Sequence, residues 1–392
     1  MSARGLLMRI GLVALAAAHV WCASDDEAAT TPPAEDGGAD AVAPADSGSP
    51  LEDAGSRDVP VCNDAFCRVA APGAETVALS GVWAKSASDV WVVGSSGYAA
   101  RFDGTSWRRI TTGTKATIFA VAGSGDGTVW GASGGDSFLA LDRSVDGGVE
   151  VVDGGFSGIV RALATAGARE AWAVGDAFFD FFSDPPSPID FIWQYAPAAG
   201  GSSWTWQPVS PPCPTDEFGQ ATCMKLNAVW AESADRVWFA GDEGKVFRAD
   251  TSSLGGDALD AGEPTKRLEL VEMDSSSLRK LEALWGFGPN DVWAVGAQGV
   301  IRHWVGGDAW TVVPSPVSAD LHAVWGSGPD DVWAAGDDGV VLHWDGTAWS
   351  VVPTPYGAEN RPRLYAISGS AGDVWIAGEG TLLRSNGPGG DR

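Results

Sequence analysis

Few side chains in this 392-residue sequence have the chemistry that catalysis requires. Only four histidines and four tyrosines are present, and His19 lies in an apolar N-terminal stretch. His303 and His343 occupy equivalent places in a repeated unit, so repetition explains them better than catalysis does. No HExxH, GxSxG or P-loop pattern occurs, which excludes the commonest signatures of zinc proteases, serine hydrolases and nucleotide-binding enzymes. The sequence therefore predicts a protein with no catalytic residues, no cofactor and no metal site.

The five cysteines indicate disulfide bonds rather than a metal centre. Cys62 and Cys67 form one close pair, and Cys213 and Cys223 form another. Neither pair has CxxC spacing or a histidine beside it, as a zinc site usually would. We expect the disulfides Cys62–Cys67 and Cys213–Cys223 in an oxidising compartment, each stabilising the fold by about 2–3 kcal/mol.

Residues 1–23 have the features of an export signal. Arg4 and Arg9 precede an apolar stretch at 10–20 that is too short to span a bilayer comfortably. The sequence therefore predicts an extracytoplasmic protein.

Cys22 follows the apolar stretch, and the arrangement resembles the N-terminus of a bacterial lipoprotein, in which such a cysteine carries the lipid. Trp21 stands where that motif normally has a small residue. Ordinary signal cleavage near Ala18 or Ser24 is the alternative. Residues 24–58 are rich in Ala, Asp, Pro and Gly and cannot bury enough apolar surface to offset the entropy of ordering, so we predict a disordered acidic linker.

The overall composition restricts the kinds of molecule that the protein is expected to bind. The formal net charge of -26 argues against nucleic acid and against an anionic membrane surface. Contact with a membrane would then occur only through a lipid anchor on Cys22. The 52 glycines and 20 tryptophans favour turns and short strands over helices.

A tryptophan-containing segment such as "DVWAAG" recurs along the chain with a base period of about 40 residues and two insertions, a period typical of propeller blades. The repeated tryptophans are Trp91, Trp130, Trp172, Trp238, Trp293, Trp333 and Trp375. Their strands are apolar at consecutive positions, as expected where both faces of a strand are buried. We therefore predict that these tryptophans lie in the core, the alternative being exposed platforms for sugars.

One copy shows four strands, predicted at 321–326, 332–336, 340–344 and 348–353. The last copy stops one strand short, after 381–385. Residues 66–71 resemble a fourth strand placed before the first copy begins, and we expect them to pair with 381–385. The sequence thus predicts an all-β fold, namely a seven-bladed β-propeller of four-stranded antiparallel blades over 59–388, closed by an N-terminal strand and followed by a tail at 389–392.

The aromatic- and glycine-rich copies over about 62–388 resemble the propeller repeats of bacterial secreted proteins. They are also similar to photosystem II assembly-factor-like repeats and to Asp-box (sialidase-type) repeats, although "SVDGG" at 144–148 lacks the Asp-box tryptophan. A sialidase-type hydrolase would need a tyrosine nucleophile beside an arginine cluster, and no tyrosine stands at a place that suggests this role. The resemblance implies the fold only, because propellers carry many unrelated functions.

The third copy departs most from the repeat, in two connections that lie on one face of a propeller. We call this the loop-bearing face: it carries the connections from second to third strands and from fourth strands to the next blade. One connection is the aromatic segment 176–195, with Phe178, Phe179, Phe181 and Phe182, and the other holds the Cys213–Cys223 loop. The aromatic segment is either a partner-binding patch or a cover over the propeller's own mouth.

Acidic turns in other copies should lie on the same face, at Asp242, Glu243, Asp337, Asp338 and Glu379. They could gather a cation or a basic partner, or they could simply form turns. The insertion at 251–267 is expected on the opposite face, with no assigned role.

The leading hypothesis is a non-catalytic exported scaffold that binds a protein or cell-envelope component through its loop-bearing face. The alternative is a lectin-like saccharide-binding protein or a relic of a glycoside hydrolase, with Trp193 and Trp204 as platforms for the sugar.

Overall fold

The computed structural model describes residues 61–134, 137–145, 148–153, 158–177, 191–198, 202–211, 223–251, 255–256, 266–370 and 372–386. These residues form seven four-stranded antiparallel sheets, the blades of a ring, which confirms the predicted seven-bladed β-propeller. Within these ranges there is no α-helix, and hence no helix long and apolar enough to cross a lipid bilayer.

Every blade except the last takes its strands in chain order from the central channel outward. Blade 1 contains β2 (Leu79–Ser86), β3 (Asp89–Gly94), β4 (Tyr98–Phe102) and β5 (Trp107–Arg109), and blade 2 contains β6 (Ile118–Gly123), β7 (Val129–Ser133), β8 (Ser137–Val145) and β9 (Gly148–Asp153). Blade 3 contains β10 (Gly158–Ala166), β11 (Glu170–Ala177), β12 (Ile192–Pro197) and β13 (Trp204–Pro208). Blade 4 contains β14 (Leu226–Ala231), β15 (Arg236–Gly241), β16 (Val246–Asp250) and β19 (Val271–Met273), with a two-stranded ribbon, β17 (Gly255–Gly256) and β18 (Lys266–Arg267), inserted before β19.

Blades 5 to 7 follow the same plan. Blade 5 contains β20 (Leu281–Gly288), β21 (Asp291–Gly296), β22 (Ile301–Trp304) and β23 (Thr311–Val313), and blade 6 contains β24 (Leu321–Gly328), β25 (Asp331–Gly336), β26 (Val341–Trp344) and β27 (Trp349–Val351). Blade 7 contains β28 (Leu364–Ser370), β29 (Asp373–Gly378), β30 (Thr381–Ser385) and, as its outer strand, β1 (Phe66–Arg68). Short 3₁₀ turns lie at Ala74–Thr76, Ser95–Gly97, Asp242–Gly244, Ala297–Gly299 and Asp337–Gly339.

The ring is closed by the N-terminal strand, as predicted. β1 pairs with β30 in an antiparallel register that sets Phe66 opposite Ser385 and Arg68 opposite Leu383. Phe66 has no exposed surface and makes an edge contact with Trp333 of blade 6, with ring centroids 6.0 Å apart. The predicted disulfide between Cys62 and Cys67 is formed, and Cys67 is the middle residue of this strand.

The recurring "Asp-x-Trp" is explained by a contact between second and third strands. In blade 5, Asp291 Oδ1 lies 2.7 Å from His303 Nε2, and the imidazole stacks on Trp293 with centroids 3.8 Å apart. The same arrangement occurs in three other blades, as Asp89–Arg101–Trp91, Asp331–His343–Trp333 and Asp373–Arg384–Trp375. His303 and His343 therefore occupy the same structural position as two arginines.

The second-strand tryptophans also fill the boundaries between blades. Trp238 of blade 4 packs against Trp304 and Trp310 of blade 5, with centroids 5.8 and 5.9 Å away. Six of these seven tryptophans have at most 2% of their surface exposed, namely Trp91, Trp130, Trp172, Trp238, Trp293 and Trp375, and Trp333 is partly buried. The predicted core role is confirmed. Burial of each such side chain removes roughly 150–250 Å² from water, or about 4–6 kcal/mol by area.

A six-residue inner motif lines the central channel in each blade. Its copies are residues 79–84, 118–123, 160–165, 226–231, 281–286, 321–326 and 364–369. Position one is aliphatic with no exposed surface, position three is Gly or Ala, and position four is Val, Leu or Ile. Positions two, five and six are the ones that differ in character between blades.

Positions five and six are coupled across each blade boundary. Position five is Trp in four blades, and position six of the following blade is then always Gly, at Gly123, Gly286, Gly326 and Gly369. After Ala122, Ala164 or Ser368 it is Thr or Ala instead. The reason is close approach, because a Cβ on Gly123 would lie 2.1 Å from Cη2 of Trp83. Trp230 and Trp325 approach Gly286 and Gly369 in the same way, at 2.6 and 2.4 Å.

This coupling gives a mutational prediction. Gly123→Ala should destabilise the protein by about 1–3 kcal/mol, since the new methyl group overlaps the ring of Trp83. Trp83→Ala in the same chain should relieve that overlap, so the two losses in unfolding free energy should not add. Chemical denaturation of both single variants and the double variant measures the coupling. Gly357→Ala, where a Cβ would meet nothing within 4 Å, is the control; additive losses would contradict the packing rule.

The hairpins between third and fourth strands give a pH prediction. Asp345 Oδ1 accepts the backbone N–H groups of Thr347 and Ala348 at 2.8 and 2.9 Å. Hydrogen bonds from Thr347 and then from Ala348 lower the pKa of Asp345 to about 2. Since this pKa is below the ordinary 3.8, the carboxylate stabilises the fold above about pH 4 and loses that effect as the pH falls through about 2. A ¹³C NMR titration should locate the midpoint near 2, and a midpoint near 3.8 would contradict this turn geometry.

Candidate functional site

The channel mouth on the loop-bearing face gathers one unusual side chain from every blade. Position two of the inner motif is Ser80, Phe119, Arg161, Asn227, Glu282, His322 or Tyr365, a different residue in each blade. In all seven blades the register of the first two strands shifts across this position, which marks a β-bulge. A bulge adds one unpaired residue and redirects its side chain. Together with positions three and four, these residues line a cavity of ≈ 190 Å³, which we call the mouth.

Glycine-rich turns hold the surroundings of the mouth in place. In blade 6 the turn follows Gly336, where a Cβ would lie 2.0 Å from the carbonyl oxygen of Asp320. Asp338 and Gly339 then adopt left-handed conformations, with φ values of 56° and 62°. This tight turn brings Asp337 back over the inner strand, where its Oδ1 lies 2.8 Å from His322 Nε2.

A second cluster at the mouth joins opposite charges. Arg161 donates from Nε to Asp176 Oδ2 at 2.9 Å. This hydrogen bond raises the pKa of Arg161, and the negative charges of Asp176, Glu282 and Asp242 act in the same direction. Since Glu282 and Asp242 belong to blades 5 and 4, the guanidinium of blade 3 interacts with carboxylates of the next two blades.

The rest of the mouth is polar and largely paired. Asn227 donates to Asp242 Oδ1 at 3.0 Å, and Lys280 Nζ lies 2.8 Å from Glu282 Oε1. Burial raises the pKa of Tyr365; the negative charge of Glu379 adds to this effect.

The acidic turn residues are therefore at the predicted face, but they do not converge on one point. Asp242 pairs with Asn227 of its own blade, and Asp337 pairs with His322 and, at 3.6 Å, with Arg363. Across the described parts of the chain, no group of three or more His, Cys, Asp or Glu side chains is placed to hold a metal ion.

The two tryptophans expected to form a saccharide platform do not share a surface. Trp193 lies on the third strand of blade 3 with no exposed surface, in a core cluster that includes Trp130 of blade 2. Its indole belongs to the hydrophobic core, because the neighbouring blade covers the third strand. Trp204 is partly buried on the opposite face, 5.6 Å from the ring of Tyr195 and 5.0 Å below the Arg169 guanidinium.

Several predicted residues lie outside the described residues. They are Cys22, Phe178, Phe179, Phe181, Phe182 and Cys213. Cys223 is described and is disulfide-bonded.

The described ends of the three long connections meet at one corner of blade 3. Ser210 Oγ accepts the N–H groups of Phe191 and Ile192, which follow the aromatic segment. Ser210 also opens the connection that leads to the Cys213–Cys223 loop, and its carbonyl accepts Nη1 of Arg267 at 3.3 Å. The insertion at 251–267 therefore begins on the opposite face, as predicted, but ends against blade 3, where the N–H of Leu268 donates to Val209.

Sequence reasoning missed the mouth residues as a set. The aligned copies contain a signal for them. Positions one, three and four keep their residue class in every copy, whereas position two changes from copy to copy. A single copy does not indicate a site, because an ordinary strand would place that residue on the same face as position four.

Comparisons with known proteins support the fold. No protein-family model matches the chain, and no curated protein sequence matches it. Among solved structures, YCF48 bound to D1 peptide is 17% identical, with a TM-score of 0.55 over 83% of this chain and 95% of that one. Virginiamycin B lyase from Staphylococcus aureus is 12% identical, with a TM-score of 0.59 over 82% of this chain and 98% of that one. The WD40 propeller domain of Doa1 is 12% identical, with a TM-score of 0.57 over 82% and 95% of the two chains. At these identities the chain is similar to all three as a β-propeller, and the likeness extends no further than the fold.

Proposed function

We propose that this protein is a non-catalytic propeller scaffold that binds a polypeptide segment of a partner protein at the mouth. The observation that carries the proposal is the set of seven different bulge side chains gathered at one opening. The neighbouring positions of the same strands are uniformly small or aliphatic, so packing does not account for the variety at position two.

The chemistry of the mouth suits a peptide of mixed sequence. Arg161 offers a cation, Glu282 a carboxylate and Asn227 an amide, while Phe119 and Tyr365 offer aromatic surface. Aromatic and arginine side chains dominate the binding energy of protein interfaces, and paired charges set orientation and specificity. The solved structure of YCF48 with a D1 peptide shows that a propeller of this general form can hold a peptide.

A non-catalytic role is consistent with how the titratable groups are held. His322 and Asp337 contact each other, and Arg161 contacts Asp176, but neither pair adjoins a serine, cysteine or lysine nucleophile within hydrogen-bonding distance. Nucleophile and base must be within such reach for covalent catalysis. Neither of these two pairs therefore has the geometry of a nucleophile activated by a base.

Site-specific photocrosslinking tests where the partner binds. With p-benzoylphenylalanine at Phe119 or at Tyr365, we expect a crosslinked partner peptide that mass spectrometry can identify. The same probe at Val312, which is 58% exposed on the outer strand of blade 5, is the control. Crosslinks from Val312 and none from the mouth would contradict the proposal.

The identified peptide then gives an affinity test. Arg161→Ala with Glu282→Ala should weaken its binding by about tenfold or more, since both removed groups face the mouth. Arg108→Ala with Asp308→Ala removes the same charges from exposed positions away from the mouth and should leave the affinity within about twofold. If a glycan array instead shows specific binding that the mouth variant abolishes, the protein is a lectin rather than a peptide binder.

We also propose that the scaffold is exported and anchored by lipid on Cys22, with a protein of the cell envelope as its partner. Support comes from the basic and apolar order of residues 1–23 and from the oxidised Cys62–Cys67 pair, since disulfides persist outside the reducing cytosol. Labelled palmitate should be incorporated into the wild-type protein and not into Cys22→Ser. Wild-type protein without label would show ordinary secretion instead.

A further inference from the structure

The channel opens on the opposite face into a second cavity, larger than the mouth. It measures ≈ 570 Å³ and is lined by positions four to six of the inner motif, together with Glu232, Phe287 and Gly288. We call it the aromatic cavity, because Trp83, Trp230, Trp285 and Trp325 all contribute to its wall. The ring of aliphatic residues at position four lies between this cavity and the mouth.

The space exists because the seven blades are not alike at position five. Four blades place a tryptophan there, whereas blades 2, 3 and 7 place Ala122, Ala164 and Ser368. The small side chains lie on both sides of Trp83 and leave that part of the channel open opposite the indole rings of blades 4 to 6. Trp83, Trp230 and Trp285 are only partly buried, and so they present ring surface to that space.

Few side chains in the cavity wall offer free hydrogen-bonding groups. Thr165 Oγ1 donates to the carbonyl of Gly123 at 2.7 Å, and Ser368 Oγ accepts the N–H of Ala84 at 3.1 Å. Glu232 accepts from Trp238 Nε1 at 3.1 Å. The remaining polar surface is backbone, because the first strand of each blade is an edge strand whose inner N–H and C=O groups face the channel.

The charge around this opening is negative. Among the described residues, carboxylates in the turns of this face outnumber the cations there. Asp89, Asp126 and Asp373 are paired with arginines, and the excess is carried by carboxylates of the third-to-fourth-strand turns, such as Asp103, Asp308 and Asp345. Such an excess raises the local concentration of cations, most strongly at low ionic strength.

We propose that the aromatic cavity binds an organic cation, specifically an alkylated ammonium group. Indole faces attract cations placed within about 6 Å, and a methylated ammonium needs no hydrogen-bond acceptors of its own. Glu232 in the wall is paired with Arg236 at 3.3 Å, so its charge is offset, and the attraction for a cation comes from the indole rings and from the carboxylate excess of this face. An aromatic wall and anionic surroundings are the two properties that this class of ligand requires together.

Titration calorimetry with purified protein tests the proposal. Choline should bind saturably with a dissociation constant below about 1 mM, and its affinity should fall as salt is added. Its neutral carbon analogue, 3,3-dimethylbutan-1-ol, should bind at least tenfold more weakly. Equal binding of choline and its neutral analogue would show that the cavity is merely apolar and would contradict the proposal.

The same ammonium chemistry occurs on a lipid headgroup and on a methylated lysine side chain. The calorimetry is therefore repeated with phosphatidylcholine vesicles and with a trimethyllysine peptide, as the second and third arms of the experiment. The one that binds shows whether the natural ligand is a lipid headgroup or a methylated lysine. Failure of all three arms would overturn the proposal. None of these arms depends on the mouth, so this result is independent of the peptide-binding function.

The coupling between positions five and six supplies a variant that closes the cavity. Ala164→Trp places an indole on the open side, and Ala231→Gly in blade 4 makes the room that every such tryptophan has in its following blade. The double variant should keep the melting temperature of the wild type and lose choline binding by at least tenfold. Retained binding would place the site elsewhere and overturn the proposal.

A second variant serves if the double variant fails to fold. Trp285→Leu keeps an apolar side chain in the wall but removes an aromatic ring. Choline affinity should drop several-fold while the weak affinity for 3,3-dimethylbutan-1-ol stays the same. Trp107→Leu, on the outer strand of blade 1 and outside the cavity lining, is the matched control and should leave both affinities unchanged. An equal loss for both ligands would contradict cation recognition.

Discussion

The structure depends on one constraint: each blade must be covered on both faces by its neighbours. The second-strand tryptophans meet this constraint, since each reaches across a boundary while an Arg or His of its own blade covers it in five of the blades. Trp293 shows both contacts, with His303 stacked on it at 3.8 Å and Trp349 of blade 6 at 5.4 Å. A blade without a neighbour would expose these rings, and so the ring of blades has to be complete.

Completion is achieved by pairing the two ends of the described chain. Phe66 reaches past its own blade to Trp333 of blade 6, and Asn386, after β30, donates its backbone N–H to Ala65 at 2.8 Å. Blade 7 is therefore held by residues more than 300 positions apart, as the separation of 323 between Asn63 and Asn386 shows. Contacts of this range cost loop-closure entropy before they stabilise anything, which makes closure a late and cooperative step.

The fold could be predicted from the sequence because its signals are local and repeated. "Asp-Val-Trp" marks the second strand, and the missing fourth strand of the last copy indicated residues 66–71, of which Phe66–Arg68 form the strand. The site could not be predicted in the same way, because a β-bulge leaves no mark on a single copy. His322 and Tyr365 were visible as isolated residues, and only the shifted register shows that they share an opening with Arg161. Trp193 was predicted to be a platform for a sugar, but it is buried. Its burial depends on contacts with blade 2, which a reading of its own copy does not show.

The inner motif explains how one scaffold can carry two chemically different openings. Position four is aliphatic in every blade and separates the mouth from the aromatic cavity. Position five is coupled to the next blade, because in three of the four cases its tryptophan closely approaches a glycine beyond the boundary, while the glycine that follows Trp285 is approached most closely by Phe287. Position two carries no such requirement, since a bulge residue lies outside the ladder and its side chain extends into the channel. The seven residues at the mouth can therefore differ freely, whereas the aromatic cavity can change only in coupled pairs, and this difference makes the mouth the more adaptable of the two surfaces.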